Sequence, residues 1–243
     1  MDGVPHPAVE GFLTDKMNGV KLMSFILSGI PMARPRKDHE LDVARRAVEE
    51  AMRLLETQQA KGLTMADVAG AVGCRAPALY NHFRNREALL RAVHDAGFER
   101  LYAEKLAVAS RTAGDAFVRL REGGIAYLSF ALENPELYRL MFDPPAVAGL
   151  EGNPFETDLG MKLLGFLRSS IAACQDEGFL PTHNPDLIAF TLWSTVHGAA
   201  QLILSGRVPS DSCDQRTLAA AAVDTVMALI AETRPLPAAA PRR

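Results

Sequence analysis

Residues Thr64–Leu90 read TMADVAGAVGCRAPALYNHFRNREALL. Thr64 is of a type that caps helices, and Asp67 three residues on completes a capping box. Met65, Val68 and Val72 then share one face at helical spacing. Gly73 follows the last apolar position, where a left-handed helix stop calls for a residue without a Cβ. Pro77 fits the first turn of a second helix, where an N–H has no intrahelical partner. Leu79 and Phe83, four apart, give that helix its buried side, and Tyr80, Asn81 and His82 fall mostly on its other sides. Two short helices around a glycine turn, the second with polar and aromatic residues outward, make a helix-turn-helix pattern over residues 64–83.

The run T-x-x-x-V-A-x-x-V-G-C-x-x-x-A-L-Y-N-H-F-x-N-R-E-A-L-L resembles the DNA-binding domain of tetracycline-repressor (TetR) type regulators. The A-L-Y-x-H-F core, followed by a basic residue and E-A-L-L, carries the resemblance. Two positions depart from the usual pattern: Arg75 stands where the family often has Ser, and Pro77 where Gly is frequent. The resemblance implies an all-α protein with a three-helix head and a body of about six helices that binds a ligand and dimerises. It implies a recognition helix, about Ala76–His82 and including Pro77, that enters a major groove. Thr64, Tyr80, His82 and Arg86 are then the phosphate candidates. Arg75 and Asn81 are the base-reading candidates, because a guanidinium pairs bidentately with guanine and a carboxamide with adenine.

The charge distribution is compatible with that reading. Net charge is −3 over 243 residues, so the whole molecule is not a polyanion binder. Residues 34–91 hold 11 Lys/Arg against 8 Asp/Glu, and residues 92–243 hold 13 against 18. A mildly basic head on an acidic body presents one face to phosphates. A chain with 48% hydrophobic residues has ample material for a buried core. Cys74, Cys174 and Cys213 are far apart, with no CxxC or Cys/His spacing, which argues against a disulfide framework or a zinc site. Reduced thiols, a cytoplasmic location and no cofactor are the expectation.

Outward from the motif, residues 1–33 are expected to be a poorly ordered extension. Their apolar stretch Val20–Ile30 is too short and too interrupted to span a bilayer, and no A-x-A cleavage site follows. Met32-Ala-Arg-Pro-Arg-Lys looks like the usual beginning of a TetR-type chain, so an upstream start codon would account for residues 1–31. Arg34, Arg36 and Lys37 read either as a basic arm on DNA phosphates or the minor groove, or as a solvated tail. A helix from Asp38 or Asp42 to about Gln58 follows, ended by Lys61-Gly62. The head is expected over residues 38–98, with a helix from Glu87 to about Ser110 linking it to a body over residues 115–233.

The body contains Gly123-Gly124 inside a helical stretch, which suggests close packing, a kink or a distorted turn. Helices are expected at Glu136–Phe142, Asp158–Glu177, Asn184 to about Ser205, and Gln215–Thr233, with a disordered tail over residues 234–243. Asn134–Phe142 (N-P-E-L-Y-R-L-M-F) and Trp193–Gly198 (W-S-T-V-H-G) resemble a subgroup of TetR-type C-terminal domains named for its Trp-His-Gly signature. Trp193 and His197 are four apart and so lie on one helix face. These two, with Tyr127, Phe130, Tyr138, Met141, Phe142 and Phe166, are candidates for a ligand cavity; ordinary core packing is the competing reading. The last two helices are apolar around much of their circumference. By the resemblance they pair with their copies in a four-helix seam, with Gly198, Ala199, Leu202, Ala222 and Val226 at the contact.

The expected partners are therefore double-stranded DNA, a largely apolar small-molecule effector and a second copy of the chain, without a membrane. An enzyme is disfavoured, since GxSxG, HExxH, a phosphate-binding Gly loop and paired carboxylates are all missing. A helical adaptor of the same fold without DNA binding is the alternative that Arg75 and Pro77 leave open. Redox sensing at Cys74 is weaker than a packed thiol.

Overall fold

The computed structural model describes residues 37–112, 114–144, 150, 157–208 and 214–234. The extension, Arg34, Arg36, Cys213 and the C-terminal tail after Arg234 lie outside the described residues. Among the described residues the chain is all-α. Helices α1 (Lys37–Leu54), α2 (Met65–Val72), α3 (Ala76–Tyr80) and α4 (Arg86–Arg111) are followed by α5 (Ala116–Glu133), α6 (Pro135–Phe142), α7 (Asp158–Asp176), α8 (Pro185–Leu204) and α9 (Gln215–Ala231). Lys37 is thus the first residue of α1 and not part of an arm in front of it.

The helix-turn-helix folds for the local reasons its sequence suggests. Thr64 and Asp67 form the reciprocal capping box: the Asp67 N–H donates to Thr64 Oγ1 at 3.2 Å, and the Thr64 N–H donates to Asp67 Oδ2 at 3.0 Å. Gly73 ends α2 in the left-handed region at φ 77°. The Cys74 N–H then reaches back to the Ala69 carbonyl at 2.9 Å, which satisfies one of the orphan carbonyls of the helix end. Pro77 lies in the first turn of α3.

Two boundaries differ from expectation. α1 stops at Leu54 and not near Gln58, because the Glu56 and Thr57 N–H groups bond three residues back and tighten the chain into turns. Lys61-Gly62 belongs to a separate 3-10 turn, Ala60–Gly62. α3 ends at Tyr80, with Asn81 as its C-cap; the His82 and Phe83 N–H groups both bond to the Leu79 carbonyl, which places His82 in the following turn.

Leu55, Leu63, Val68, Leu79, Leu89 and Leu90 are buried behind α2 and α3. Further along, Phe98, Leu101, Leu128, Phe130, Tyr138, Leu140 and Met141 form the most enclosed part of the core. α4 contributes to both groups. Gly97 lets α4 approach α6, since a Cβ there would stand 2.7 Å from Met141 Sδ. α5 runs unbroken through Gly123-Gly124, a pair that lowers helix propensity by roughly 1 kcal/mol per residue against Ala. Close packing is the reason at Gly124, where a Cβ would meet Val223 Cγ1 of α9 at 3.1 Å. A Cβ at Gly123 would meet no atom within 4 Å.

Candidate nucleic-acid interface and body cavity

The solvent face of the helix-turn-helix is built from the positions that the buried stripe leaves over. Leu79 is fully buried and Phe83 nearly so, which turns Arg75, Pro77, Tyr80 and Asn81 outward. Tyr80 is 52% exposed, unusual for an aromatic ring of its size. Thr64 is exposed beside them, and Ala76 and His82 are half-buried at the edges. The Thr64 hydroxyl donates to the Asp67 carboxylate at 2.6 Å, and this bond holds the Asp67 pKa below the usual range.

Arg86 departs from its expected place. Its guanidinium turns inward, donating to the Leu63 carbonyl at 2.6 Å, the Lys61 carbonyl at 3.0 Å and the Ala60 carbonyl. It caps the 3-10 turn and ties the start of α2 to the first residue of α4. The exposed arginine of the R-N-R triplet is Arg84, in the turn between α3 and α4. Sequence reasoning missed it as a phosphate candidate: two arginines two residues apart look alike until three carbonyls more than twenty residues upstream claim one of them. Arg46 plays a similar internal part, donating to the Val72 carbonyl at 2.7 Å.

The body contains an apolar cavity of about 110 Å3. Its walls come from α4 (Leu101, Lys105), α5 (Leu120, Gly123, Tyr127), α6 (Phe142), α7 (Leu163, Phe166, Leu167), α8 (Trp193, Val196) and α9 (Val223, Val226, Met227). Of the aromatic candidates, Tyr127, Phe142, Phe166 and Trp193 line it. Phe130, Tyr138, Met141 and His197 do not. Phe130 is 1% exposed, with the Arg100 guanidinium over its ring at 5.9 Å. Tyr138 is fully enclosed, and its hydroxyl meets His197 Nδ1 at 2.7 Å and the Tyr127 hydroxyl at 3.0 Å.

Tyr127 also reaches His197 Nδ1, at 3.2 Å, so the three polar tips satisfy one another inside the core. The Trp193 and His197 rings stack at 4.9 Å and 28°, as their four-residue spacing requires. Burial lowers the His197 pKa, which keeps the imidazole neutral and able to accept from a tyrosine. Burial likewise raises both tyrosine pKa values. The sequence reading also passed over Lys105, a buried amine in the cavity wall. Cys174 is fully buried, and burial pushes its thiol up to about 11, which suits an inert packed thiol and not a nucleophile.

α8 and α9 leave apolar side chains in the open. Leu187 (67% exposed), Phe190 and Leu202 follow one another on α8 in a single stripe, and Leu229 is exposed on α9. Gly198 lies on the same face, eight residues after Phe190 and four before Leu202, with open space where its Cβ would be. Ala199 and Ala222 are half-buried. Val226 differs from its expected role in a seam, since it faces the cavity. Pro185–Leu204 is long and apolar enough to cross a membrane by length and composition.

A helix-turn-helix with an outward basic and aromatic face, followed by an all-helical body, defines a DNA-binding transcriptional regulator. Two family models match in succession: bacterial regulatory proteins of the tetR family over residues 47–93, and the tetracyclin repressor-like C-terminal domain over residues 120–226. The chain belongs to the TetR family. A protein of unknown function from Rhodococcus sp. RHA1 is similar at 28% identity, covering 78% of this chain and 95% of its own, with a TM-score of 0.65. A TetR-family transcriptional regulator from Pectobacterium atrosepticum shares the fold at 21% identity, 83% and 99% coverage, and a TM-score of 0.63. The TetR-family regulator PfmR from Thermus thermophilus does so at 21% identity, 75% and 97% coverage, and a TM-score of 0.57. A search of curated proteins returns no significant match.

Proposed function

We propose that this regulator is a homodimeric repressor of the cytoplasm, released from a pseudo-palindromic operator by a small apolar effector. The observation that carries the reading is the outward face of α3 and its flanks: Arg75, Pro77, Tyr80, Asn81 and Arg84, all exposed around a buried Leu79. Arg75 and Asn81 read base edges, while Thr64, Tyr80 and Arg84 hold phosphates, with His82 at the edge. Arg86 serves the same end from inside, by fixing α4 to the carbonyls before α2. The head, residues 38–98, and the body, residues 115–233, divide these tasks.

The seam is the α8 stripe of Leu187, Phe190, Gly198 and Leu202, flanked by Ala199, Ala222 and Leu229. Exposed apolar side chains in one row mark a contact surface. A second copy of the same stripe makes an isologous interface and a dimer with two recognition helices. Their half-sites then lie one helical turn, about 34–36 Å, or more apart.

Release follows from the reach of α4. Arg86 at its start grips the head, and Lys105 stands in the cavity wall nineteen residues on, about 28 Å along the helix. An effector that prefers one tilt of α4 changes the spacing of the two heads and shifts the population of dimers away from the DNA-competent state. The test is fluorescence anisotropy of labelled DNA from upstream of the chain's own gene, titrated with protein against a scrambled duplex. Preference for the upstream duplex supports the reading; equal affinity, or none, favours an adaptor that has kept the fold.

A further inference from the structure

The cavity wall is mostly apolar, with Ser170 and Thr195 as neutral polar residues, and its charged residues lie where α4 and α5 meet. Lys105 and Arg119 stand there with the Tyr127 ring, and no carboxylate is among the described lining residues. Lys105 is 8% exposed, and a lysine buried that far is ordinarily paired. Its amine donates to the Gly123 carbonyl and lies 5.3 Å from the Tyr127 ring centroid. Glu104, the neighbouring acid on α4, is engaged by Arg100 at 3.3 Å. A carbonyl and an aromatic face are weak substitutes for a counter-ion, and desolvation pushes the amine down to about 7.

We propose that the cavity takes a small apolar monocarboxylate whose carboxylate pairs with the Lys105 ammonium at the α4–α5 wall, an inference that rests on reading the cavity as the effector site. The volume of about 110 Å3 is of the order of the ~150 Å3 apolar cavity that holds benzene, so the acid is short or single-ringed and not a long-chain lipid. Leu163, Leu167 and Val196 supply the surface for its apolar part. The pair also supplies a lever. Drawing the amine from the Gly123 carbonyl toward a ligand changes how α4 is held against α5.

Binding has a proton signature. Above about pH 7 the free amine is largely neutral and must take a proton from solvent to make the ion pair. The other charged or titratable groups facing it are Glu104 on α4 and Arg119 and Tyr127 on α5. α7 adds only the Ser170 hydroxyl, and the described lining residues of α6, α8 and α9 carry no titratable group. Affinity is therefore steady between the titration of the acid itself, roughly pH 4–5, and about pH 7, and falls by up to about tenfold per unit above that.

The experiment is calorimetric titration of the full chain, wild type and Lys105→Met, with hexanoate and phenylacetate and with their neutral amides. At least one acid is expected to bind the wild type about tenfold or more tightly than its amide, and Lys105→Met is expected to abolish that preference. In the wild type at pH 8, the acid's binding enthalpy is expected to vary with the ionisation enthalpy of the buffer, reporting proton uptake. Should the variant not fold, the wild-type ratio and proton uptake decide alone. Amides that bind as well as the acids, or acid binding without proton uptake, overturn the carboxylate inference and leave the effector cavity standing. If none of the four compounds binds the wild type, the cavity's role as a site for effectors of this size falls, and the inference with it.

Discussion

Lys105→Met puts an unbranched side chain of similar length into the same apolar wall and removes the buried amine. In the folded wild type that amine titrates at about 7, against an ordinary 10.5 when unfolded. Between those values the unfolded chain holds a proton that the folded chain has released, so wild-type stability rises with pH. The contribution is complete above 10.5 and lost as pH falls through 7, where the amine is charged in both states and its burial is most costly. The slope is at most about 1.4 kcal/mol per pH unit. Lys105→Met has no such dependence. The variant should therefore be the more stable protein at pH 6–7, and its advantage should shrink by up to about 3 kcal/mol between pH 7 and 9, an upper bound because local relaxation softens burial. Urea melts of both proteins at matched pH values test this, and their difference cancels every other titrating group. A difference that stays constant with pH would show that the amine is solvated in the folded protein, which removes the physical basis for a charge-seeking cavity.

Arg86→Ala removes the guanidinium donor from the Lys61 and Leu63 carbonyls and leaves Ala60 only its bond from the Leu63 N–H, and thermal or urea unfolding should register a loss of about 2–3 kcal/mol. DNA affinity should fall for all sequences while the salt slope of binding stays as in the wild type, because no phosphate contact is lost. Arg84→Ala should instead leave stability within about 0.5 kcal/mol and reduce the salt slope by about 1, read from affinities at several salt concentrations. Asn81→Ala should relax sequence preference at one position of each half-site, at a cost of about 1–3 kcal/mol on the preferred duplex alone. Phe190→Asp with Leu202→Asp should yield monomers in sedimentation experiments and leave far-UV helicity unchanged, since both side chains are already exposed.

The parts legible in the sequence were those that chemistry settles within a few residues. Thr64 with Asp67, Gly73 and Pro77 act on their own turns, and each does in the structure what its residue type suggests. The stacking of Trp193 on His197 is of the same kind, a consequence of spacing on one helix. The parts that were not legible depend on neighbours distant in the chain. Arg84 and Arg86 differ only because the carbonyls of residues 60–63 lie near one of them. Lys105 sits in a stretch, E-K-L-A-V, that reads as an ordinary solvated helix face; it is buried because α5 and the other cavity-wall helices close around it. Tyr138 and His197 look like cavity residues by composition. They turn instead toward Tyr127, because three polar tips in an apolar core satisfy one another at less cost than apart.

Selection of bound duplexes from a random DNA pool by the full chain tests the central claim most directly. The account expects enrichment of one pseudo-palindrome, its half-site centres one helical turn or somewhat more apart, and loss of that enrichment in the Phe190→Asp, Leu202→Asp monomer. A pool that stays random, or a single enriched half-site bound equally well by the monomer, would contradict it.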